Sequence, residues 1–320
     1  MALWRRPCLL VLMLALAWLA AVVAVPVHAE PASGFRFHIV TGDDSAQTRH
    51  IADDLYKRLA PLAASFRTEL AQRRRLVYIA IGPVALRDAA SRRDDSVVIA
   101  AFTASQVVHA VMVQAVAAGA RPGTITAVYA EPAPLDQLRL VELLYRRPVT
   151  VAALLGADSA HLKLLLATSG QPLRLEQVGA GDDINRILNR IAAAEVLLAM
   201  PDSAVYNTDT IRNILLSTYR HKQGVIGFSA DLVKAGALAT TYSDIEDIDL
   251  QVAAMAATFA GSGVLPAPQF PRYFRTLIND GVAHSLDLEV SAAARSFARR
   301  PTAAAVTASV TASAPAAAAP

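Results

Sequence analysis

Residues 195–231 read EVLLAMPDSAVYNTDTIRNILLSTYRHKQGVIGFSAD. An apolar run, Val196 to Met200, stops at Pro201 and gives way to the polar stretch Asp202-Ser203-Ala204-Val205-Tyr206-Asn207-Thr208. Only then does a helical pattern begin, and a second apolar run, GVIGFS, follows it. Continuous apolar runs of this length suit strands covered on both faces, and a strand, helix, strand order is the repeating unit of a parallel sheet.

The same alternation extends outward in the N-terminal direction. FRFHIV, LVYIAIG, VVIAAFT, TITAVYA, VTVAALLG and LRLEQV are further strand candidates with helical patterns between them. Ile184, Ile187, Leu188 and Ile191 follow the three-and-four spacing of one apolar helix face, with Asp182 or Asp183 in place to cap it. The expected fold class is therefore α/β. Eight or more strands would suffice for one barrel, but Ala130-Glu131-Pro132-Ala133-Pro134 sets two prolines between a strand and a helix beginning near Leu135. That seam favours two doubly wound lobes with parallel sheets.

The ends of the chain read differently. Residues 1–29 carry Arg5 and Arg6, an apolar run from Cys8 to Val25, and Val27-His28-Ala29, the three parts of a secretory signal. Cleavage is expected after Ala29, with an uncleaved membrane anchor as the alternative; either places the folded part outside the cytoplasm. Cys8 is the one cysteine and leaves with the signal, so no disulfide is expected, and its place ahead of the apolar run argues against lipidation. Residues 289–320, and above all Pro301 to Pro320, are rich in Ala, Thr and Pro and read as a disordered tail.

The formal charge of +3 drops to +1 without Arg5 and Arg6, which gives no electrostatic footprint for nucleic acid. Arg73-Arg74-Arg75 reads as the basic end of a helix.

In open parallel sheets, ligands sit beyond the carboxyl ends of the strands. That rule selects Gly82 and Pro83 after YIAI, Thr103 and Ser105 after VVIAAF, Gly156 and Ser159 after VAALL, Asp202, Ser203 and Tyr206 after Met200, and Ser229 after VIGF. Asn207, Thr208 and Asp209 read as structural, with Thr208 and Asp209 capping the next helix. Small and hydroxyl-bearing residues offer hydrogen bonds without filling a cleft, as a small polar ligand needs. Tyr206 and Tyr242 are either apolar walls with polar tips or partly buried packing.

Catalytic and metal signatures are weak. Gly227-Phe228-Ser229-Ala230-Asp231 lacks the second glycine of a nucleophile elbow, and the seven histidines show no paired zinc spacing, so His161 and His221 read as helix-surface residues. Gly179-Ala180-Gly181 lacks the third glycine of a dinucleotide loop, and Asp182 and Asp183 would repel a phosphate. No catalytic residue, metal or cofactor is expected.

ITAVYAEPAPLDQLRLVELL, VTVAALLGADSAHL, AMPDSAVYNTDTIRNILLSTYRHKQGVIGFSADLVKAGALATTYSD and FPRYFRTLIND together resemble the type I periplasmic binding proteins of ABC transporters, in particular the tryptophan/tyrosine-type or uncharacterised substrate-binding group. The resemblance runs from about Ile125 to Leu288 and is looser before Thr124. It implies two Rossmann-like lobes joined by a hinge, one holding 30–128 and 242–264, the other 129–241 and 265–288, with Glu131 and Tyr242 near the chain crossings. It also implies a monomer that closes over a small molecule and engages an ABC permease; a membrane sensor is the alternative partner. Where the family commonly has Thr-Asp-Pro this chain has Thr103-Ala104-Ser105, which leaves Asp202 as the carboxylate for a ligand ammonium. An enzyme on the same scaffold and a structural envelope protein are the remaining alternatives.

Overall fold

The computed structural model describes residues 35–64, 75–92, 96–179 and 181–302. The signal segment, Arg73 and Arg74, and the chain beyond 302 lie outside these residues.

The first sheet is built from β1 (Phe35–Thr41), β2 (Arg75–Ile81), β3 (Val97–Thr103) and β4 (Ile125–Tyr129), all parallel and in that spatial order. Their alternate residues feed two cores, as strand geometry requires. Val77, Ile79, Ile99 and Val128 pack with Leu55 and Leu59 of α1 (Ala46–Ala64) and with Val252, Ala256 and Phe259 of α9 (Ile245–Ser262). On the opposite face Tyr78, Ala80, Val98, Ala100 and Ala127 meet Leu86 of α2 (Gly82–Ser91) and Val108 and Val111 of α3 (Ser105–Ala117). The chain steps the same way across the sheet at each connection, yet α1 lies on the face opposite to α2 and α3. The β1-α1-β2 unit therefore has the opposite hand to the next two, an exception to the strong right-handed preference.

The second sheet runs β10-β9-β8-β7-β5-β6, from β5 (Val151–Gly156), β6 (Leu173–Val178), β7 (Val196–Leu198), β8 (Gly224–Ile226), β9 (Ala239–Tyr242) and β10 (Arg275–Ile278). β10 pairs antiparallel to β9 and the other pairs are parallel. One face packs on α4 (Pro134–Tyr145) and α5 (Ala160–Ala167), and the other on α6 (Ile184–Arg190), α7 (Ile211–Arg220) and α8 (Ala230–Lys234). Two short helices, α10 (Asp280–Ser285) and α11 (Ala292–Arg295), finish the described chain.

The chain passes between the sheets after β4, after β9, and again between α9 and β10. On the last passage Gln269 pairs in parallel with Val128 at the edge of the first sheet. Buried Gln251 of α9 fixes the same segment, donating to the Phe270 carbonyl at 3.1 Å and accepting from the Arg272 amide at 2.7 Å.

Residues 289–302 correct the expected extent of the disordered tail. Ala294 is fully buried, Phe297 packs on Phe274 with ring centroids 5.1 Å apart, and Arg299 exchanges backbone hydrogen bonds with Phe274. Alanine-rich composition suggested disorder, but these side chains complete the second core.

Candidate functional site

The carboxyl ends of β3 and β4 in the first sheet face those of β5 and β7 in the second. Each expected residue there can be placed by its hydrogen bonds.

β3 ends in a bulge between Ala101 and Thr103, with Phe102 at φ 55°. Left-handed backbone in a non-glycine residue is uncommon, and here it turns the chain out of the sheet into α3. Thr103 is buried, its hydroxyl donating to the Ala101 carbonyl at 3.2 Å and its carbonyl accepting from the Ala130 amide at 3.1 Å. Ser105 opens α3, and its amide donates to both carboxylate oxygens of Glu131, at 3.0 and 3.1 Å. Glu131 is 3% exposed, and burial raises its pKa while the hydrogen bonds from Ser105 oppose that shift. A carboxylate on the first amide of a helix also suits the helix dipole.

In the second half, Asp202 occupies the centre of the strand ends. It is fully buried, and its Oδ2 accepts from the Gly156 amide at 2.6 Å and from the Ser159 hydroxyl at 2.5 Å. Oδ1 accepts from the Ala204 amide at 3.0 Å. A Cβ added to Gly156 would fall 2.8 Å from one of these oxygens, so glycine is required for the approach. This corrects the expectation of a ligand-facing Asp202: the carboxylate joins the loops after β5 and β7 and spends its acceptor capacity on donors of its own half.

The halves touch directly. Gln106 Nε2 of α3 lies 3.5 Å from Ser159 Oγ, and Ser105 Oγ lies 3.0 Å from Nε2 of His161 on α5. His161 stacks on His109 of α3 with ring centroids 4.0 Å apart and planes inclined by 28°, and His109 Nε2 in turn lies 3.0 Å from the Tyr129 hydroxyl. His161 is thus not a helix-surface residue; it is half-buried against the opposite half. Burial, then the neighbouring His109, lower its pKa to about 4, against the attraction of Asp202; burial also lowers that of His109.

Two chains of contacts result. Glu131, Ser105 and His161 form one, and Gln106, Ser159, Asp202 and Gly156 form the other. His109, His161 and Gln106 were not selected by the strand-end rule because they sit on helices.

The other expected residues stand apart from these contacts. Gly82, at φ 83°, and Pro83 begin α2, with Pro83 exposed. Ser203 is exposed and its carbonyl accepts from Asn207 Nδ2. Tyr206 is packing: it is buried edge-on against Phe228, and its hydroxyl has no hydrogen-bond partner among the described residues. Ser229 caps α8 by accepting from the Leu232 amide at 3.2 Å. Tyr242 ends β9 opposite Arg275, beside the second passage of the chain. The N-cap position of α7 is held by Thr210, without a side-chain cap, rather than by Thr208 or Asp209, and Asn207 Oδ1 accepts from the Asp209 and Thr210 amides in the turn ahead of the helix.

Comparison of the architecture with solved structures gives three matches of interest. A domain from Streptococcus pneumoniae, solved in complex with L-Trp, superposes with a TM-score of 0.51 at 15% identity, covering 82% of this chain and 99% of that one. A conserved domain protein from Vibrio cholerae gives 0.52 at 16%, with the same coverages. A substrate-binding protein with adhesive properties from Clostridium difficile, in its ligand-free, open form, gives 0.54 at 13%, covering 80% and 96%. The chain shares its α/β fold, with parallel sheets, with these proteins. No family model matches the chain, and no curated protein matches its sequence. Among the described residues no helix is long and apolar enough to cross a membrane, and no group of three or more His, Cys, Asp or Glu could hold a metal ion.

Proposed function

We propose that the protein is an extracytoplasmic solute-binding protein of an ABC-type uptake system, taking a small polar molecule between two lobes. The observation that carries this reading is the facing of Ser105, Gln106 and His109 from one sheet against Ser159 and His161 from the other. Hydrogen-bonding side chains from two separately packed cores meet at the strand ends, where parallel sheets present ligand sites. The lobes are the first sheet with α9, and the second sheet with the returning 265–288 segment, hinged at the three chain passages.

Binding would stabilise one arrangement of the lobes, and an ABC permease, or alternatively a membrane sensor, would read that arrangement. The chemistry is binding without turnover, by a monomer. Since Asp202 is committed internally, a ligand ammonium would have to find its acceptors among hydroxyls, carbonyls and Glu131. The L-Trp held by the Streptococcus pneumoniae domain makes aromatic amino acids, as in the tryptophan/tyrosine-type group, the first candidates to test.

A thermal-shift screen of amino acids and monosaccharides tests the reading. A saturable rise in melting temperature with one class, lost in S105A/S159A, supports it; no response to either class counts against it.

A further inference from the structure

The His109–His161 contact has a property that the binding reading does not use. It is a stack between two titratable rings, each carried by a different sheet half, with centroids 4.0 Å apart. We propose that these two histidines form a pH-sensitive latch between the lobes, holding them together when both rings are neutral and releasing them on protonation. The inference rests on the two-lobe reading above.

The geometry supports it from both sides. His109 projects from α3 toward the Tyr129 hydroxyl of β4, and His161 projects from α5 toward the Ser105 hydroxyl across the junction. A neutral imidazole carries one donor and one acceptor nitrogen, so each can satisfy a hydroxyl neighbour while its face rests on the other ring. Two imidazolium rings in the same stack would bring like charges together in a half-buried setting, where repulsion and lost hydration add. Among the described residues, these two rings join Ser105, Gln106 and Ser159 in the contacts between α3 and the segment from β5 to α5.

The surrounding groups fix the sign. Asp202, in the loop after β7, draws a proton toward His161, but burial and His109 outweigh it. Tyr129 of β4 stays protonated throughout, its pKa raised by burial and by Glu131. Glu131, at the first passage between the sheets, holds the Ser105 amide, and through Ser105 it is linked to the His161 side of the stack. Separation returns both rings to water and to an ordinary value of about 6.5. Because the pKa is depressed in the closed arrangement, closure is fully favoured above about pH 6.5 and loses ground as pH falls toward the value of about 4 for His161. His161 can change the closure equilibrium by up to about tenfold per pH unit in that window, and the lowered pKa of His109 acts in the same direction.

Small-angle scattering of the ligand-free protein from pH 8 to pH 4.5, with far-ultraviolet circular dichroism to monitor folding, tests the latch. The wild type is expected to expand below pH 6.5 with its secondary structure intact. In H109F/H161F, which keeps two flat rings but removes both titrations, it is expected to stay compact over the whole range. H161Q, which removes the stack, is a second variant expected to be expanded at pH 8 and insensitive to pH. A wild-type radius independent of pH, or equal expansion in wild type and H109F/H161F, would overturn the latch. Either result would leave the binding reading standing, since ligand response at a fixed pH tests that separately.

Discussion

Ser159 donates its hydroxyl to Asp202 Oδ2 at 2.5 Å, and through that bond the loop after β5 is fixed to the loop after β7. The Gly156 and Ala204 amides bind the same carboxylate, so three donors depend on one buried side chain. Replacing Asp202 with Ala leaves all three without an acceptor, a loss of about 3–5 kcal/mol by analogy with other broken buried networks. The expected outcome is a large drop in urea midpoint for D202A, where a rim residue acting only on ligand would leave the midpoint unchanged.

Gly156→Ala should show the same contact from the other side. The new methyl would sit 2.8 and 2.9 Å from the two Asp202 oxygens, and overpacking of this kind costs about 1–3 kcal/mol. In the D202A background that obstruction is gone. The two losses should therefore be less than additive in a double-mutant cycle of denaturant midpoints.

Gln137 ties α4 to the ends of β8 and β9. It is 2% exposed, donates to the Gly227 carbonyl at 2.6 Å and to Thr240 Oγ1 at 2.9 Å, and accepts from the Thr241 amide at 2.9 Å. Q137E keeps the shape and the acceptor but turns the amide nitrogen into an acceptor facing the Gly227 carbonyl. It should destabilise more than Q137A above the carboxyl pKa, because a buried charge then meets a carbonyl oxygen. Thermal melts at pH 7 and pH 4 check this, the gap between the two variants narrowing in acid.

Asp249 of α9 gives the protein a second pH dependence, away from the cleft. It is fully buried, and burial first, then the charge of Asp54 on α1 and a side-chain hydrogen bond with that residue, push its pKa up to about 8. Asp54 itself accepts from Arg58 Nε at 2.5 Å. A raised carboxyl favours the folded state while protonated, so its contribution is full below the ordinary value of about 3.9 and is lost as pH rises through about 8. D249N should flatten the fall in stability across that window and raise the melting temperature at pH 8.5. A wild-type melting temperature that climbs from pH 5 to pH 8.5 would contradict this account.

The sequence was most informative where apolarity was continuous. The eight apolar runs read as strands correspond to β1 through β8. β9, ATTY, and β10, RTLI, escaped because they are short and rich in hydroxyl or charged residues, and β10 is an antiparallel addition that a strand-helix alternation does not announce. The opposite hand of the β1-α1-β2 unit left no trace in periodicity, since a helix face has the same pattern on either side of a sheet.

At the candidate site the strand-end rule found Ser105, Gly156, Ser159 and Asp202, because short polar side chains after an apolar run are visible in one dimension. It did not reveal which way Asp202 points. Nor could it pair His109 with His161, which are brought together only by the packing of two sheets. Composition likewise misread 289–302, where Ala294 and Phe297 answer a core formed by distant residues.

The measurement that tests the central proposal most directly is native mass spectrometry of the protein purified gently from cells. The account predicts a discrete small-molecule adduct that is lost on unfolding and weakened in S105A/S159A. A bare mass, together with no thermal shift from any amino acid or monosaccharide, would contradict it.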